Sequence, residues 1–212
     1  MRLHRLPEVL QRWLPHTEWR GPVRAGQKPL YLTFDDGPVP EETPFVLEQL
    51  ARHHARATFF CVGDNLEKHP DIARQVLVAG HRLANHTFHH VSGWRTPLPQ
   101  YLQEVARCQQ ALDALLPQPE ARPLLRPPYG RLTRAQAAAL HPSYRLIMWD
   151  LLTYDYDATY PPEICLRTVL AHTRPGAIVV FHDSHKAHQN LRAVLPRYLE
   201  ACAEQGYSFE LL

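Results

Sequence analysis

The sequence has few cysteines and no close pair of them. The four are widely separated and form no Cys-x-x-Cys motif: they are Cys61, Cys108, Cys165 and Cys202. This spacing excludes a zinc ribbon and a dense disulfide framework. We expect four reduced thiols, which is typical of a protein from a reducing compartment.

Three other absences narrow the function. The formal net charge is only +2, and Lys and Arg are scattered along the chain without forming a basic run. No nucleic-acid partner is therefore expected. No apolar run approaches the length of a membrane span. The N-terminus is basic but lacks the uninterrupted apolar stretch of a secretory signal peptide. The sequence therefore predicts a cytoplasmic protein, and association with the cell envelope is left open.

Nothing in the sequence marks a second domain. It has no Gly/Ser linker or internal repeat, and 212 residues suit a single sizeable core. We assign residues 26–212 to one domain and residues 1–25 to an N-terminal extension that we expect to be helical. A short amphipathic helix around Glu8 to Leu14 could lie on a membrane or a partner, although packing on the protein's own core is favoured. We expect a monomer.

Short apolar runs alternate with segments of helical periodicity, which indicates repeated βα units of an α/β fold. The predicted strands are Leu30–Phe34, Thr58–Val62, Arg82–Asn85, Leu124–Arg126, Arg145–Trp149, Ala177–Phe181 and Ser208–Leu212. The predicted helices are Glu41–His54, Pro70–Ala79, Leu98–Leu115, Thr133–Leu140, Pro161–His172 and Asn190–Gln205, with Thr133 and Asn190 as N-caps. An incomplete barrel and an open parallel sheet both fit, and both place active sites at the carboxyl ends of the strands.

Carboxylates and imidazoles follow two of these strands. Asp35 and Asp36 come after the first strand, where Asp-Gly-Pro could also be a plain turn. His86 and His90 come after the third, and on a helical turn this spacing would let both bind one ion. His89 is an alternative partner for His86. Two imidazoles and one aspartate with open positions are typical of a catalytic metal centre.

Three further groups follow other strands. Two prolines after Arg126 fix the backbone, so its guanidinium and the Tyr129 N–H become preorganised donors. The aromatic segment from Trp149 to Tyr156 could form a sugar-stacking wall or cover the core. His182 ends a strongly apolar strand, where a histidine can act as a general acid.

These groups together resemble the motifs of the polysaccharide deacetylase (NodB-homology) family, also called the fourth carbohydrate esterase family. The resemblance runs from about Leu30 to the C-terminus, in the family's motif order. The matching blocks are Thr33–Gly37 (Thr-Phe-Asp-Asp-Gly), His86–His90 (His-[Ser/Thr]-x-x-His), Arg126–Gly130 (Arg-Pro-Pro-Tyr) and the block of His182 (Leu-x-His). The second match favours His90 over His89. The resemblance implies a single-domain, deformed (β/α) barrel with about seven parallel strands.

The resemblance also implies a role for each residue. Asp36, His86 and His90 would bind one divalent metal ion, expected to be Zn²⁺, although the donor set also accepts Co²⁺, Mn²⁺ or Ni²⁺. Asp35 would be the general base, and Arg126 would favour its ionised form.

The same family pattern assigns the remaining catalytic and substrate-binding residues. The Tyr129 N–H would help the metal to hold the oxyanion, and His182, oriented by Asp155, would protonate the leaving amine. Further contacts to the substrate or the oxyanion are expected from Pro128, Tyr156, Trp149 and Val180.

Two departures from the family pattern concern the substrate. The family's Asp-x-x-Asp-Trp block reads Leu152-Thr153-Tyr154-Asp155-Tyr156 here, and Val180 replaces a leucine in the last block. Both changes alter the groove wall or the acetyl pocket and leave the chemical residues in place. The expected substrate is an N-acetylated carbohydrate of the N-acetylglucosamine type, such as peptidoglycan or a chitin-like oligomer.

Three alternatives remain at this stage. An O-acetyl esterase acting on acetylated xylan would use the same tetrahedral intermediate with an easier leaving group. A carbohydrate-binding protein without activity would be expected to have lost a ligand or the base, and this chain keeps them. A metal site formed by His182, His185 and His188 is disfavoured, because that histidine-rich run reads as a solvated loop.

Overall fold

A computed structural model describes residues 3–11 and 13–212, and in this part of the chain nine strands pair in parallel. The strands are β1 (Thr17–Glu18), β2 (Pro29–Asp35), β3 (Ala57–Cys61), β4 (Arg82–Asn85), β5 (Leu124–Leu125), β6 (Arg145–Ile147), β7 (Leu151–Leu152), β8 (Ile178–His182) and β9 (Ser208–Phe209). Their order is β1-β6-β5-β4-β3-β2-β8-β7, with β9 beside β2. Together with the helices they form one domain, a deformed (β/α) barrel whose strand path is open between β1 and β7.

Eight α-helices lie within the described residues, and all but the first follow a strand. They are α1 (Glu8–Gln11), α2 (Glu42–Arg52), α3 (Gly63–Lys68), α4 (Pro70–Val78), α5 (Leu98–Asp113), α6 (Arg134–Leu140), α7 (Pro162–His172) and α8 (His188–Glu204). Short 3₁₀ turns at Gly93–Arg95 and Pro128–Gly130 lie next to the candidate site. None of the described helices combines the length and the apolar character needed to cross a bilayer.

All seven predicted strands are present: three are one to three residues shorter than predicted, three have the predicted length, and β2 is two residues longer. The short strands β1 and β7 and the helix α3 were not predicted, because elements this short carry too little periodicity. Thr133 caps α6 with a full capping box, as expected. The prediction of Asn190 as an N-cap is wrong: α8 begins at His188, and the buried Asn190 side chain instead donates to the Asp157 carbonyl at 3.0 Å.

Side chains along each strand point alternately into the barrel interior and towards the surrounding helices. The central strand β2 is buried along its whole length, as expected for a parallel strand covered on both faces. Its outward residues, among them Leu32 and Phe34, belong to the main core with the helices, whereas Tyr31 belongs to an inner cluster with Phe60 and Ile178. Because successive side chains point to opposite faces, the inner row of β2 ends at Asp35 and that of β8 at His182.

The N-terminal segment differs from the predicted helical extension. Its helix α1 has only four residues, residue 12 of the predicted helix lies outside the described residues, and β1 adds a strand beside β6. Near the other edge of the sheet, the His4 carbonyl accepts the Leu152 N–H at 2.9 Å. The segment therefore connects the two edge strands instead of forming a separate helical unit.

The four cysteines are unpaired and buried, as the sequence predicts. Cys61 and Cys108 lie in the layer between the sheet and the helices, and burial raises the pKa of the Cys108 thiol to about 12. Such thiols are protonated at neutral pH and unreactive.

Candidate active site

Three candidate metal ligands meet at the carboxyl ends of β2 and β4. One ligand atom each from Asp36, His86 and His90 lies within 4.8 Å of the others. The Asp36 carboxylate is 3.2 Å from His90 Nε2 and 3.7 Å from His86 Nε2. Among the described residues, this is the one group of three or more His, Cys, Asp or Glu side chains that comes so close together.

The backbone that presents the two histidines is not the helical turn inferred from their spacing. Residues 86–90 form a turn in which Thr87 and His90 have positive φ angles of 63° and 55°. His86 Nδ1 is 2.8 Å from the Arg126 carbonyl, which can only accept, so Nδ1 carries the proton. The lone pair of His86 is therefore on Nε2, which faces the Asp36 carboxylate.

The donor set fits a divalent metal ion. Burial, followed by the nearby His90, lowers the pKa of His86 well below its usual value. Burial also lowers the pKa of His90, against the opposing charge of Asp36. Both imidazoles are thus neutral near pH 7, which is the form that binds a metal. One carboxylate and two neutral imidazoles leave further coordination positions open.

Asp35 lies beside this cluster and is held by a buried arginine. Arg126 is fully buried and donates from Nη1 to Asp35 Oδ1 at 2.6 Å and to Thr33 Oγ1 at 2.7 Å. Its Nη2 donates to the Met148 carbonyl at 3.0 Å, and its guanidinium lies 4.0 Å from the centre of the Phe60 ring. Arg126 therefore fixes Asp35 through its side chain, just as it orients His86 through its carbonyl.

A second charged pair stands at the end of β8. His182 Nδ1 is 2.7 Å from Asp155 Oδ1, and the His182 N–H donates to Asp155 Oδ2 at 2.8 Å. Thr153 Oγ1 also donates to this carboxylate at 2.9 Å. The Asp155 side chain is fully buried, and the His182 side chain is 12% exposed. Because Asp155 engages Nδ1, Nε2 is the ring nitrogen left for the cavity.

The charge state of His182 follows from its neighbours. Burial acts to lower its pKa, but the charge and the hydrogen bond of Asp155, with the further charges of Asp36 and Asp35, raise the pKa of His182 to about 9. His182 is therefore protonated at neutral pH and can donate a proton into the cavity.

The three candidate metal ligands, Asp35 and His182 open into one cavity of about 730 Å³. Four of the five residues predicted to contact substrate or oxyanion line it: Tyr129, Trp149, Tyr156 and Val180. The fifth, Pro128, is buried in the 3₁₀ turn and is not part of the lining. Tyr129 has a positive φ of 60°, and its ring centre lies 4.6 Å from that of His90.

The sequence did not predict the residues that hold the Asp36 loop in place. Asp36 has φ 82°, and its carbonyl accepts from Asn65 Nδ2 at 2.7 Å. The fully buried Asp183 carboxylate accepts the Gly37 N–H at 3.1 Å and the Thr43 hydroxyl at 2.6 Å. The sequence could have indicated Asp183 as a candidate site residue, because it directly follows His182 at the end of a predicted strand.

The alternative metal site at His182, His185 and His188 is not assembled. His182 is paired with Asp155, and His188 Nδ1 lies 2.6 Å from Glu42 Oε1 on α2. His89, the other candidate partner of His86, turns away to Glu104 at 3.0 Å.

Comparison with known proteins agrees with this arrangement. The sequence profile of the family described as polysaccharide deacetylase matches residues 23–142, more than half of the chain. The chain belongs to the polysaccharide deacetylase family. A chitooligosaccharide deacetylase of Bradyrhizobium sp. (strain ANU 289) is 35% identical to it over 162 residues, 76% of this chain and 73% of the relative.

Two further relatives of this polysaccharide deacetylase carry the name peptidoglycan N-acetylglucosamine deacetylase. One, from Bacillus cereus, is 32% identical over 158 residues; the match covers 74% of this chain but only 56% of the relative. The crystal structure of the other, Bc1960, superposes with a TM-score of 0.86 at 26% identity and covers 97% of this chain and 94% of that one. The deformed barrel is therefore the fold of Bc1960 as well.

Proposed function

We propose that this polysaccharide deacetylase hydrolyses the N-acetyl groups of an N-acetylglucosamine-type oligo- or polysaccharide, using one divalent ion bound by Asp36, His86 and His90. The observation that carries the proposal is the cluster of these three ligands in one cavity with the buried Asp35 and the protonated His182. The chitooligosaccharide and peptidoglycan named for its relatives support N-acetylglucosamine as the sugar.

The reaction divides between two proton-transfer groups. A divalent ion, expected to be Zn²⁺, would supply Lewis acidity to the amide carbonyl and to a water molecule. Asp35 takes a proton as the water adds to the acyl carbon, and Arg126 keeps its carboxylate aimed at that position. The Tyr129 N–H is the proposed donor to the developing oxyanion. His182 gives its proton to the nitrogen as the C–N bond breaks, which leaves acetate and a free amine.

Exposed aromatic side chains at the cavity support a sugar ligand. Trp94 and Tyr129 line the cavity, yet they remain 65% and 59% exposed. Arg131 lies 5.3 Å from the Trp94 ring and 5.5 Å from the Tyr129 ring, so it holds the two aromatics in one patch. Exposed aromatic surface next to catalytic groups is expected to bind a ligand. The apolar face of a sugar ring can stack on such aromatic side chains.

The direct test is acetate release by the zinc-loaded protein from N-acetylglucosamine oligomers, peptidoglycan and acetylated xylan. We expect release from the first two substrates. His182→Ala should slow amide hydrolysis by roughly 10²–10⁴-fold and ester hydrolysis much less, because an alkoxide leaves without a general acid more readily than an amine. Release from xylan alone would favour the O-acetyl esterase alternative, and no release from any substrate would contradict the proposal.

The ion pair between Asp155 and His182 predicts that replacing Asp155 changes the pH dependence of kcat. Asp155 stabilises the protonated imidazole, so Asp155→Asn should lower the pKa of His182 from about 9 towards the ordinary value of about 6.5. His182 would then lose its proton at a lower pH, and the alkaline limb of the kcat profile should move about one to two pH units lower. Asp157→Asn, in the same loop, is the control. An unchanged alkaline limb in Asp155→Asn would show that His182 is not the acid.

The packing of Gly37 against Asp183 predicts an effect on metal binding. A Cβ at Gly37 would lie 2.0 Å from the Asp183 carboxylate, so Gly37→Ala should displace the Asp36 loop. We expect zinc affinity, measured by competition with a chelating dye, to fall roughly 10–100-fold. Gly26→Ala is the control, since Gly26 has φ +77° and no neighbour within 4 Å. It should lower stability by about 1 kcal/mol through backbone strain and leave zinc affinity unchanged. Wild-type affinity in a folded Gly37→Ala protein would refute this role.

A further inference from the structure

The N-terminal segment is fixed against strand β7. The His4 carbonyl accepts the Leu152 N–H at 2.9 Å, and His4 Nδ1 lies 2.8 Å from the Leu152 carbonyl. The Tyr154 hydroxyl donates to the Leu3 carbonyl at 3.1 Å, and Arg5 Nε lies 3.3 Å from the buried Asp150 carboxylate. These contacts tie residues 3–5 to the loop that carries the catalytic Asp155.

This segment contributes a wall to the catalytic cavity. Leu3, Leu6 and Leu14 line the same space as the metal ligands and His182. The side chains of these three leucines are hydrocarbon. Part of the substrate space is therefore apolar and is built by a segment outside the family's motif blocks.

The apolar surface begins directly below the catalytic acid. Val180 precedes His182 by two residues on β8, so both side chains face the barrel interior and Val180 lies one layer deeper. Leu152 on β7 pairs with Val180 and also lines the cavity. Leu152 and Val180 are two of the positions where the sequence departs from the family pattern. Leu6 and the exposed Leu3 line the same cavity.

We propose that this wall, formed by Leu3, Leu6, Leu14, Leu152 and Val180, is a subsite for the hydrocarbon part of an N-acyl group longer than acetyl. The inference rests on the proposed amide hydrolysis. It adds that the preferred substrate is an amino sugar carrying a short fatty acyl chain.

Two arguments favour an acyl chain over a sugar unit. Sugar hydroxyls buried against leucine side chains would lose their hydrogen bonds to water without replacement, which is unfavourable. The second argument is the depth of Val180 below His182. If the amine nitrogen lies at His182 and the sugar lies against the exposed aromatic residues at the mouth of the cavity, the acyl group points into the barrel, towards Val180. The cavity of about 730 Å³ is also large compared with an acetyl methyl group, which is similar in size to a water molecule of about 30 Å³.

The test on the wild-type protein is a series of acyl chain lengths. N-acetyl, N-butyryl and N-hexanoyl derivatives of the same glucosamine oligomer are compared by release of the free amine. Each methylene removed from water should raise kcat/KM about 4-fold, so butyryl, with two more methylenes, should exceed acetyl by roughly 15-fold. Because the comparison uses one folded protein, it does not depend on the stability of any variant.

A matched pair of variants assigns the effect to the wall. Leu6→Asn should reduce the butyryl-to-acetyl ratio of kcat/KM to roughly 1–4, which is no more than the gain expected from burying a single methylene. Val9→Asn is the control: Val9 lies on α1, is 65% exposed and does not line the cavity, so its ratio should equal that of the wild type.

The outcomes separate this inference from the proposed function. Acetate release with a butyryl-to-acetyl ratio near or below 1 would overturn the subsite while the deacetylase function stands. Faster hydrolysis of an octyl than of a methyl N-acetylglucosaminide, without an effect of acyl length, would also overturn it, because the wall would then bind the aglycone. An unchanged ratio in a folded Leu6→Asn protein would overturn the assignment to this wall. Hydrolysis of none of the amides would refute the proposed function itself.

Discussion

Asp35→Asn is expected to lower kcat for acetate release roughly 10²–10⁴-fold while the protein still binds zinc. The change keeps the shape of the side chain and removes its ability to take a proton from water. Asp35 stands outside the ligand cluster, with Oδ2 3.9 Å from His86 Nε2. The measurement combines acetate release under saturating substrate with zinc content by elemental analysis.

The variant has a second consequence that a control must separate. Arg126 is fully buried, and losing its anionic partner should lower the free energy of unfolding by about 3–5 kcal/mol. Thr33→Val removes another acceptor of Arg126 Nη1, 2.7 Å away, and leaves the carboxylate in place. We expect Thr33→Val to lose far less activity than Asp35→Asn. Comparable losses in both would mean that Asp35 positions Arg126 and is not the base.

His86→Ala should remove zinc binding and acetate release together. A bound metal ion contributes several kcal/mol to transition-state stabilisation, so activity should fall by roughly 10³-fold or more. Zinc should also raise the melting temperature of the wild type and not of the variant, because ligands stabilise only the state that binds them.

The neighbouring His89 provides a matched control for this result. It lies in the same turn but is engaged by Glu104 at 3.0 Å, away from the cluster. His89→Ala should therefore keep both zinc and activity. If His89→Ala lost zinc and His86→Ala retained it, the choice of ligands would be wrong.

The positions of the candidate catalytic groups could be predicted from the sequence because of how parallel strands end. Asp35, His86, Arg126 and His182 each end or directly follow an apolar run, and such runs bring their carboxyl ends to one side of the sheet. Pattern and family resemblance together therefore predicted a candidate site whose residues the structure brings together in one cavity. The spacing of His86 and His90 suggested two histidines that do lie together beside Asp36. The helical turn assumed for them is wrong, since Thr87 and His90 have positive φ angles.

Features that depend on contacts distant in sequence could not be predicted. The strand β7 has two residues and no periodicity, and its position follows from pairing with β8. The N-terminal segment was expected to be helical, yet its helix α1 spans only Glu8–Gln11, and residues 3 and 4 are held by hydrogen bonds to Leu152 and Tyr154. The expected cytoplasmic location and monomeric state stay predictions.

The most direct test of the metal-dependent mechanism is a zinc titration of the metal-free protein. Acetate release from an N-acetylglucosamine oligomer is measured as zinc is added stepwise to the wild type and to His90→Ala. We expect the rate of the wild type to rise from near zero and to level off at one zinc ion per chain, and we expect no rise in the variant. Full activity before any metal is added, or equal activation of His90→Ala, would contradict the assignment of Asp36, His86 and His90 as the metal site.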